Sequence, residues 1–265
     1  MTDAPGDGRP ALSARGLSKR FGPRVAVDAL DLDVPAGSFF GLVGPNGSGK
    51  TTTLRMAAGL ERPDAGQVWI AGHDTWADPV TVHQLLGVVP DPMHLFDRLT
   101  AWELLVHLGE LRAMEPEAVQ VRAAELFSVL GIADDATSMI GGYSHGMRKK
   151  TALAAALLHR PAVLLLDEPF EGVDPVSAVT VRELLGRYRA AGGTVVFSSH
   201  VMELVERSCD HVAIMTSGRV LAAGSLDEVR GGAANLEDAF ISLVGAAPTA
   251  ADRLGWLDES GGSDG

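Results

Sequence analysis

Apolar positions fall into two kinds of pattern along this chain. In the first kind they alternate with polar ones. Leu30, Leu32 and Val34 are separated by acids, and Val68 and Ile70 repeat the spacing. A period of two belongs to an antiparallel strand with one face in water. Segments 11–21 and 25–34 are therefore expected as exposed, paired strands. In the second kind the apolar residues run on without interruption, at Phe39–Val43, 87–89, Val163–Leu166, 194–197 and 212–215. Short continuous runs suit strands covered on both faces, as in a parallel sheet with helices between the strands. Ser217-Gly218 is expected to turn the last run back into 219–222 as a hairpin.

Residues 100–160 break this rhythm. Leu104, Leu105, Leu108 and Leu111 mark one helix face. Val119, Ala123, Leu126 and Leu130 mark a second, which Gly131 is placed to end. An Ala/Leu-rich helix follows at 151–159. The expectation is a helical subdomain, about 92–160, inserted into an α/β domain that spans 11–244. A short helical piece is expected at 226–244. The Gly-, Pro- and Asp-rich start, 1–10, is expected to be disordered, and 245–265 to be a flexible tail. No internal repeat is visible.

Composition adds limits. The 265 residues are 46% apolar and 21% charged, enough for a substantial core. The net charge of −12 argues against nucleic acid or anionic lipid as the main partner, and no nucleic acid is expected. One cysteine, Cys209, excludes an intrachain disulfide framework and fits a reducing compartment. The first residues lack the basic and apolar regions of a signal peptide. The most apolar stretch, 151–166, is cut by His159-Arg160-Pro161. It falls short of the roughly 18 continuous apolar residues of a membrane helix. A cytoplasmic location is expected, with any membrane contact made through a partner.

The chemistry begins where the first continuous run ends. Gly44-Pro45-Asn46-Gly47-Ser48-Gly49-Lys50-Thr51 fits the P-loop pattern, between an apolar strand and a helix at 52–58. Glycines let the main chain wrap an anion so that successive N–H groups point inward. The helix adds its positive end. Lys50 is placed to bridge β- and γ-phosphates, and the Thr51 hydroxyl to ligate Mg²⁺.

A second run, Val163–Leu166, ends in Asp167-Glu168-Pro169. A carboxylate buried at a strand tip needs a compensating cation. Beside a P-loop, Asp167 is assigned to Mg²⁺ and Glu168 to polarising the attacking water. Ser144, in Tyr143-Ser144-His145-Gly146-Met147, suits a helix N-cap with an anion-binding end. By itself that stretch reads as an ordinary capped helix. His200 stands just beyond the run at 194–197, at a strand end where α/β sheets bind ligands.

Together these residues resemble the ATP-binding subunit of ABC transporters, from about residue 12 to 244. Gly44–Thr51 matches Walker A, Val163 to Glu168 matches Walker B, and Gly172-Val173-Asp174-Pro175 the D-loop. Ser144, His145, Gly146 and Met147 stand at the family signature, and His200 at the switch histidine. Leu236-Glu237-Asp238-Ala239-Phe240 resembles a segment of ABC-2 type export systems. The fold class implied is α/β: a P-loop NTPase core with parallel central strands, an antiparallel β subdomain and an inserted α-helical subdomain.

The resemblance implies ATP and Mg²⁺ as cofactors. It places Phe21, Val27, the loop 44–51 and Thr52 around ATP, and Thr51, Asp91 and Asp167 near the metal. It makes Glu168, His200 and Lys50 catalytic. Two subunits, in a homodimer, would sandwich ATP between one P-loop and the partner's signature, with Asp174 linking the sites. A separate integral membrane permease would carry the cargo, with this chain peripheral at the inner face of the cell membrane.

Three motifs depart from the family pattern. Phe21 replaces the usual Tyr, Asp91 the Q-loop glutamine, and Tyr143, His145 and Met147 the Leu, Gly and Gln of the signature. The segment after Asp91, with Met93, His94, Leu95, Phe96, Leu99 and Trp102, reads equally as a permease groove or as subdomain core. The alternative function is a soluble ABC-type ATPase, such as a scaffold subunit in iron–sulfur assembly.

Overall fold

The computed structural model describes residues 9–245. Most of the expected disordered start and all but Gly245 of the expected tail lie outside the described residues. The chain opens with β1 (Leu12–Phe21), β2 (Arg24–Val34), β3 (Phe39–Val43) and α1 (Lys50–Ala57). Next come β4 (Ala65–Ile70), β5 (His73–Asp74), α2 (Pro79–Leu85) and β6 (Leu86–Val89). Three helices follow in succession: α3 (Ala101–Leu111), α4 (Pro116–Val129) and α5 (His145–Leu157). The remainder alternates as β7 (Val163–Leu166), α6 (Pro175–Ala190), β8 (Thr194–Ser199), α7 (Met202–Ser208) and β9 (His211–Thr216). It ends with β10 (Arg219–Ser225), α8 (Leu226–Arg230) and α9 (Leu236–Val244).

Two sheets form. One has four antiparallel strands in the order β2-β1-β4-β5, and the other six in the order β10-β9-β3-β8-β7-β6. In the second sheet every pair is parallel except β9 with β10. That pair is closed by Ser217 and Gly218, both at positive φ (48° and 81°), the geometry of a tight hairpin turn.

The continuous apolar runs are explained by what lies on either side of the larger sheet. Phe39 and Val43 of β3, Leu164 and Leu166 of β7, and Val195 and Phe197 of β8 face one core cluster. That cluster also holds buried residues of α3, α4 and α5. The alternate residues Phe40 and Leu42, Val163 and Leu165, and Val196 face a second cluster, shared with the antiparallel sheet and α1. Each strand is thus apolar at every position because both faces are dry. The strands β1 and β2 cover only one cluster, and alternate accordingly.

The helical segment follows its pattern with one correction. Leu104 and Leu105 are buried, but Leu111, expected on the same face, is 82% exposed at the end of α3. Arg112, which follows it, is the C-cap, so Leu111 belongs to the closing turn of α3 and points to solvent. Gly131 ends α4 at φ 64°, as expected of a C′ glycine. Met93, Leu95, Leu99 and Trp102 pack against the first core cluster, whereas Phe96 is 68% exposed. The segment is therefore mainly core, with one aromatic ring left at the surface.

Candidate functional site

The P-loop, Asp167-Glu168 and His200 follow directly the carboxyl ends of β3, β7 and β8, adjacent strands in the order β3-β8-β7. That is where open α/β sheets gather ligand-binding groups.

The loop after β3 is shaped by close packing. Gly49 has φ 108°, and a Cβ there would lie 2.5 Å from the Ala26 carbonyl oxygen. A Cβ on Gly44 would lie 2.1 Å from the Met215 carbonyl oxygen. Only glycine allows the main chain through both positions. Pro45, Asn46 and Gly47 form an exposed tip, while Ser48 and Lys50 are buried. Gly49 caps α1 without any side-chain hydrogen bond, and the first turn of α1 carries no acid. By contrast Thr100, Ser144, Asp174, Ser225 and Asn235 cap α3, α5, α6, α8 and α9 with side-chain oxygens. The N–H groups at the start of α1 are thus open to an external anion.

Lys50 Nζ donates to the carbonyl oxygens of Gly44 at 2.8 Å and Pro45 at 3.2 Å, and stands 4.0 Å from Glu168. Burial lowers its pKa, against the pull of Glu168 and Asp167. Asp167 is 3% exposed. Its Oδ1 accepts from Ser198 Oγ at 2.5 Å and Thr51 Oγ1 at 3.1 Å. Its Oδ2 is buried without any partner. Burial is the main cause that raises its pKa, and the charge of Asp91 adds to the rise.

An orphaned buried carboxylate oxygen beside a threonine hydroxyl fits a hard divalent cation. Among the described residues no group of three or more His, Cys, Asp or Glu forms a protein cage for a metal. Such a cation would take most of its oxygen ligands from phosphate and water, as Mg²⁺ does.

Glu168 is held at φ 45°, a conformation unusual for a residue with a side chain. Its N–H donates to Ser198 Oγ at 2.9 Å, and its carbonyl accepts from Lys149 Nζ at 2.5 Å. Its carboxylate stands 3.2 Å from His200 Nδ1. Burial raises the Glu168 pKa, opposed by the hydrogen bond from His200. A carboxyl with raised pKa is a better proton acceptor than a solvated one.

Other expected residues stand apart from this cluster. Phe21 is 48% exposed at the tip of β1, with Lys19 Nζ 5.4 Å from its ring centroid. Thr52 is half-buried in the first turn of α1. Val27 requires a correction. It is 0% exposed and packs in the second core cluster, so its side chain offers no surface to a ligand. Asp91 is half-buried just beyond β6 and close enough to Asp167 to raise its pKa. Ser144 is exposed, and its Oγ accepts from Met147 N–H at 3.2 Å. His145 is exposed against the D-loop, and a Cβ on Gly172 would lie 2.8 Å from its ring. Gly146 and Met147 are half-buried in the first turn of α5. Asp174 caps α6 by accepting from Ser177 N–H at 2.9 Å.

Three residues of the site were missed in the sequence. Ser198 bridges Asp167 and Glu168, Lys149 holds the Glu168 carbonyl, and Arg24 Nη2 donates to the Gly47 carbonyl at 3.3 Å. Only Ser198 carried a signal, a polar residue closing an apolar run.

The family described as "ABC transporter" matches residues 27–171. The daunorubicin/doxorubicin resistance ATP-binding protein DrrA of Streptomyces peucetius is 37% identical over 220 residues, 83% of this chain and 67% of that protein. The ABC transporter ATP-binding protein NatA of Bacillus subtilis is 38% identical over 205 residues, 77% of this chain and 83% of its own. A solved structure of an ATP binding subunit of an ABC transporter superposes with a TM-score of 0.83 at 27% identity. The alignment covers 89% of this chain and all of that one. With a P-loop, an acidic pair and a histidine gathered on one sheet edge, the chain belongs to the ABC transporter family, as an ATP-binding and ATP-hydrolysing subunit.

Proposed function

We propose that this subunit powers export through a separate membrane permease, by closing on ATP with a second copy of itself and reopening after hydrolysis. Export is supported by the relatives, which include the DrrA protein and Nod factor export ATP-binding proteins. Among the described residues no helix is long and apolar enough to cross a membrane, so the path for cargo is assigned to a partner.

The observation that carries the reading is the exposed start of α5. Ser144 caps the helix with its oxygen as acceptor, which leaves its proton free to donate. A second phosphate-ready helix end thus accompanies the open end of α1.

In this reading main-chain N–H groups of the loop between Asn46 and Thr51, together with Lys50, bind the phosphate chain, and Phe21 stacks on adenine. Thr51 and Asp167 would hold Mg²⁺, with Asp91 nearby, and the bound ion would supply charge neutralisation for the phosphate oxygens. Glu168 accepts a proton from the attacking water. His200 holds the Glu168 carboxylate and donates toward the γ-phosphate. Ser144 and Gly146 of the partner approach that phosphate from the other side. Asp174, at the head of α6, lies where the two copies meet. Cleavage removes the charge that links the copies.

The test is Glu168→Gln. The variant binds ATP, hydrolyses it at least about a hundredfold more slowly, and elutes as a dimer on gel filtration with ATP. A variant that stays monomeric with ATP bound sinks the sandwich. Co-purification with a polytopic membrane protein, with ATPase stimulation, tests the coupling to a permease.

A further inference from the structure

Lys149 is a buried cation with no carboxylate in contact. It lies five residues after Ser144 on α5 and is 4% exposed. Asp91, Glu171, Glu168 and Asp167 surround it at longer range and favour its charge, against desolvation. Among the described residues its ammonium forms no ion pair. Its hydrogen bond goes to a main-chain carbonyl, that of Glu168.

That carbonyl belongs to a strained residue. Other non-glycine residues at positive φ are Ala29, Ala71, Ala113, Arg160 and Ser217, none of which carries an acid. A left-handed conformation in a residue with a Cβ is strained and persists only where the surroundings hold it. Glu168 is held on both sides of its Cα, with the N–H on Ser198 Oγ at 2.9 Å and the C=O on Lys149 Nζ at 2.5 Å. The consequence is the aim of its side chain, 3.2 Å from His200 Nδ1 and 4.0 Å from Lys50 Nζ. A turn that relaxed to negative φ would swing the carboxylate away from both.

We infer that Lys149 is a positioning residue for hydrolysis: its ammonium clamps the Glu168 carbonyl and so fixes the direction of the carboxylate. The same helix carries Ser144 at its N-cap. A displacement of α5 when a second copy engages Ser144 therefore moves the clamp, which joins the phosphate-facing end of one site to the carboxylate of another. The inference rests on the reading of Glu168 as the group that activates water.

The experiment compares K149M, K149R, E168Q and the double variant K149M/E168Q with the wild type. Steady-state ATPase, ATP affinity by fluorescent nucleotide titration, and Tm are measured for each. K149M is expected to lower kcat at least tenfold, to keep ATP Kd within twofold, and to melt no lower than the wild type. K149R retains a donor and is expected to recover at least threefold of the lost kcat. In the E168Q background K149M is expected to change residual turnover less than twofold, because the group it aims is gone. A K149M kcat within twofold of wild type overturns the inference. So does a kcat loss matched by equal losses of ATP affinity and Tm, or a loss that persists in full in the E168Q background. If K149M does not fold, K149R decides alone: kcat above one third of wild type supports the clamp, and a lower value overturns it. E168Q with wild-type turnover defeats the reading of Glu168 itself, whatever K149M does. An inactive E168Q with a fully active K149M defeats only the role of Lys149.

Discussion

Asp167→Asn is expected to stabilise the protein without nucleotide and to weaken its response to MgATP. Asp167 is 3% exposed, and its Oδ2 has no partner. An Asn Oδ1 keeps the donors Ser198 and Thr51, now at 2.5 and 3.1 Å. The charge is removed, and with it the repulsion from Asp91. The new amide nitrogen stands where Oδ2 stood, and a buried neutral amide without a partner costs about 1–3 kcal/mol, less than an uncompensated carboxylate. The net gain is set at about 1–2 kcal/mol. At about 2–4 °C per kcal/mol for a chain of this size, Tm rises by about 2–8 °C. Nucleotide at a hundred times its Kd adds about 2.7 kcal/mol to the wild type, or about 5–11 °C. The variant is expected to gain less than half of that, and EDTA to erase the difference between the two gains.

The pH dependence has a definite sign. The folded pKa of Asp167 is raised above 3.8, so its penalty is present in full above the folded pKa. As pH falls through the folded pKa toward 3.8 the carboxyl protonates and the advantage of the Asn variant disappears. Differential scanning fluorimetry on both proteins, with and without MgATP and across acid pH, measures all of this. A nucleotide-free variant that melts below the wild type refutes the account of a carboxylate poised for a cation. An advantage that grows on acidification refutes its electrostatic origin.

Two further predictions concern neighbours of this carboxylate. Ser198→Ala removes a buried donor to Asp167 and leaves the Glu168 N–H without an acceptor. Urea denaturation is expected to show a loss of about 2–4 kcal/mol, and ATPase assays a fall in kcat of about tenfold. Unchanged stability would mean that water replaces the hydroxyl and that the bridge is incidental. Asp91→Asn is expected to leave ATP Kd within about twofold, because Asp91 acts on Asp167 through space and makes no hydrogen bond to it. A loss of tenfold or more in equilibrium titration would give Asp91 a direct place on the metal.

Much of the fold was legible because burial is written into spacing. Every parallel strand of the larger sheet was visible as an unbroken apolar run, and the same alternation between two core clusters explains them. The phosphate loop was legible for a related reason, since glycines at fixed intervals report close approaches of the main chain, such as Gly49 to Ala26. What could not be read was contact between distant segments. Lys149 and Glu168 are 19 residues apart, Ser198 and Asp167 31, and Arg24 and Gly47 23. Nothing in the local pattern around Lys149 distinguishes it from Lys150, although one is buried and the other half-exposed. Val27 differs again: it was placed near ATP by the resemblance alone, and its side chain is buried in the second core cluster.

An acidic chain that binds a polyphosphate faces an electrostatic conflict, and the site resolves it with main-chain groups. With a net charge of −12 the surface as a whole repels the ligand. The attraction comes from N–H groups of the loop and of the uncapped start of α1, which carry partial positive charge without adding a titratable cation. Before nucleotide binds, the buried lysines of the site have another task. In the nucleotide-free chain Lys50 donates to loop carbonyls and Lys149 to the carbonyl of Glu168, so each ammonium braces main chain while it offsets nearby acids. The acids themselves, Asp167 and Glu168, are left with raised pKa values by burial. A nucleotide-free site of this kind holds a carboxylate that lacks a cation and helix N–H groups that lack an anion. A metal-bound triphosphate satisfies both at once, whereas either component alone satisfies one and worsens the other. The proposed dependence on a metal–nucleotide pair therefore follows from where this chain buries its charges.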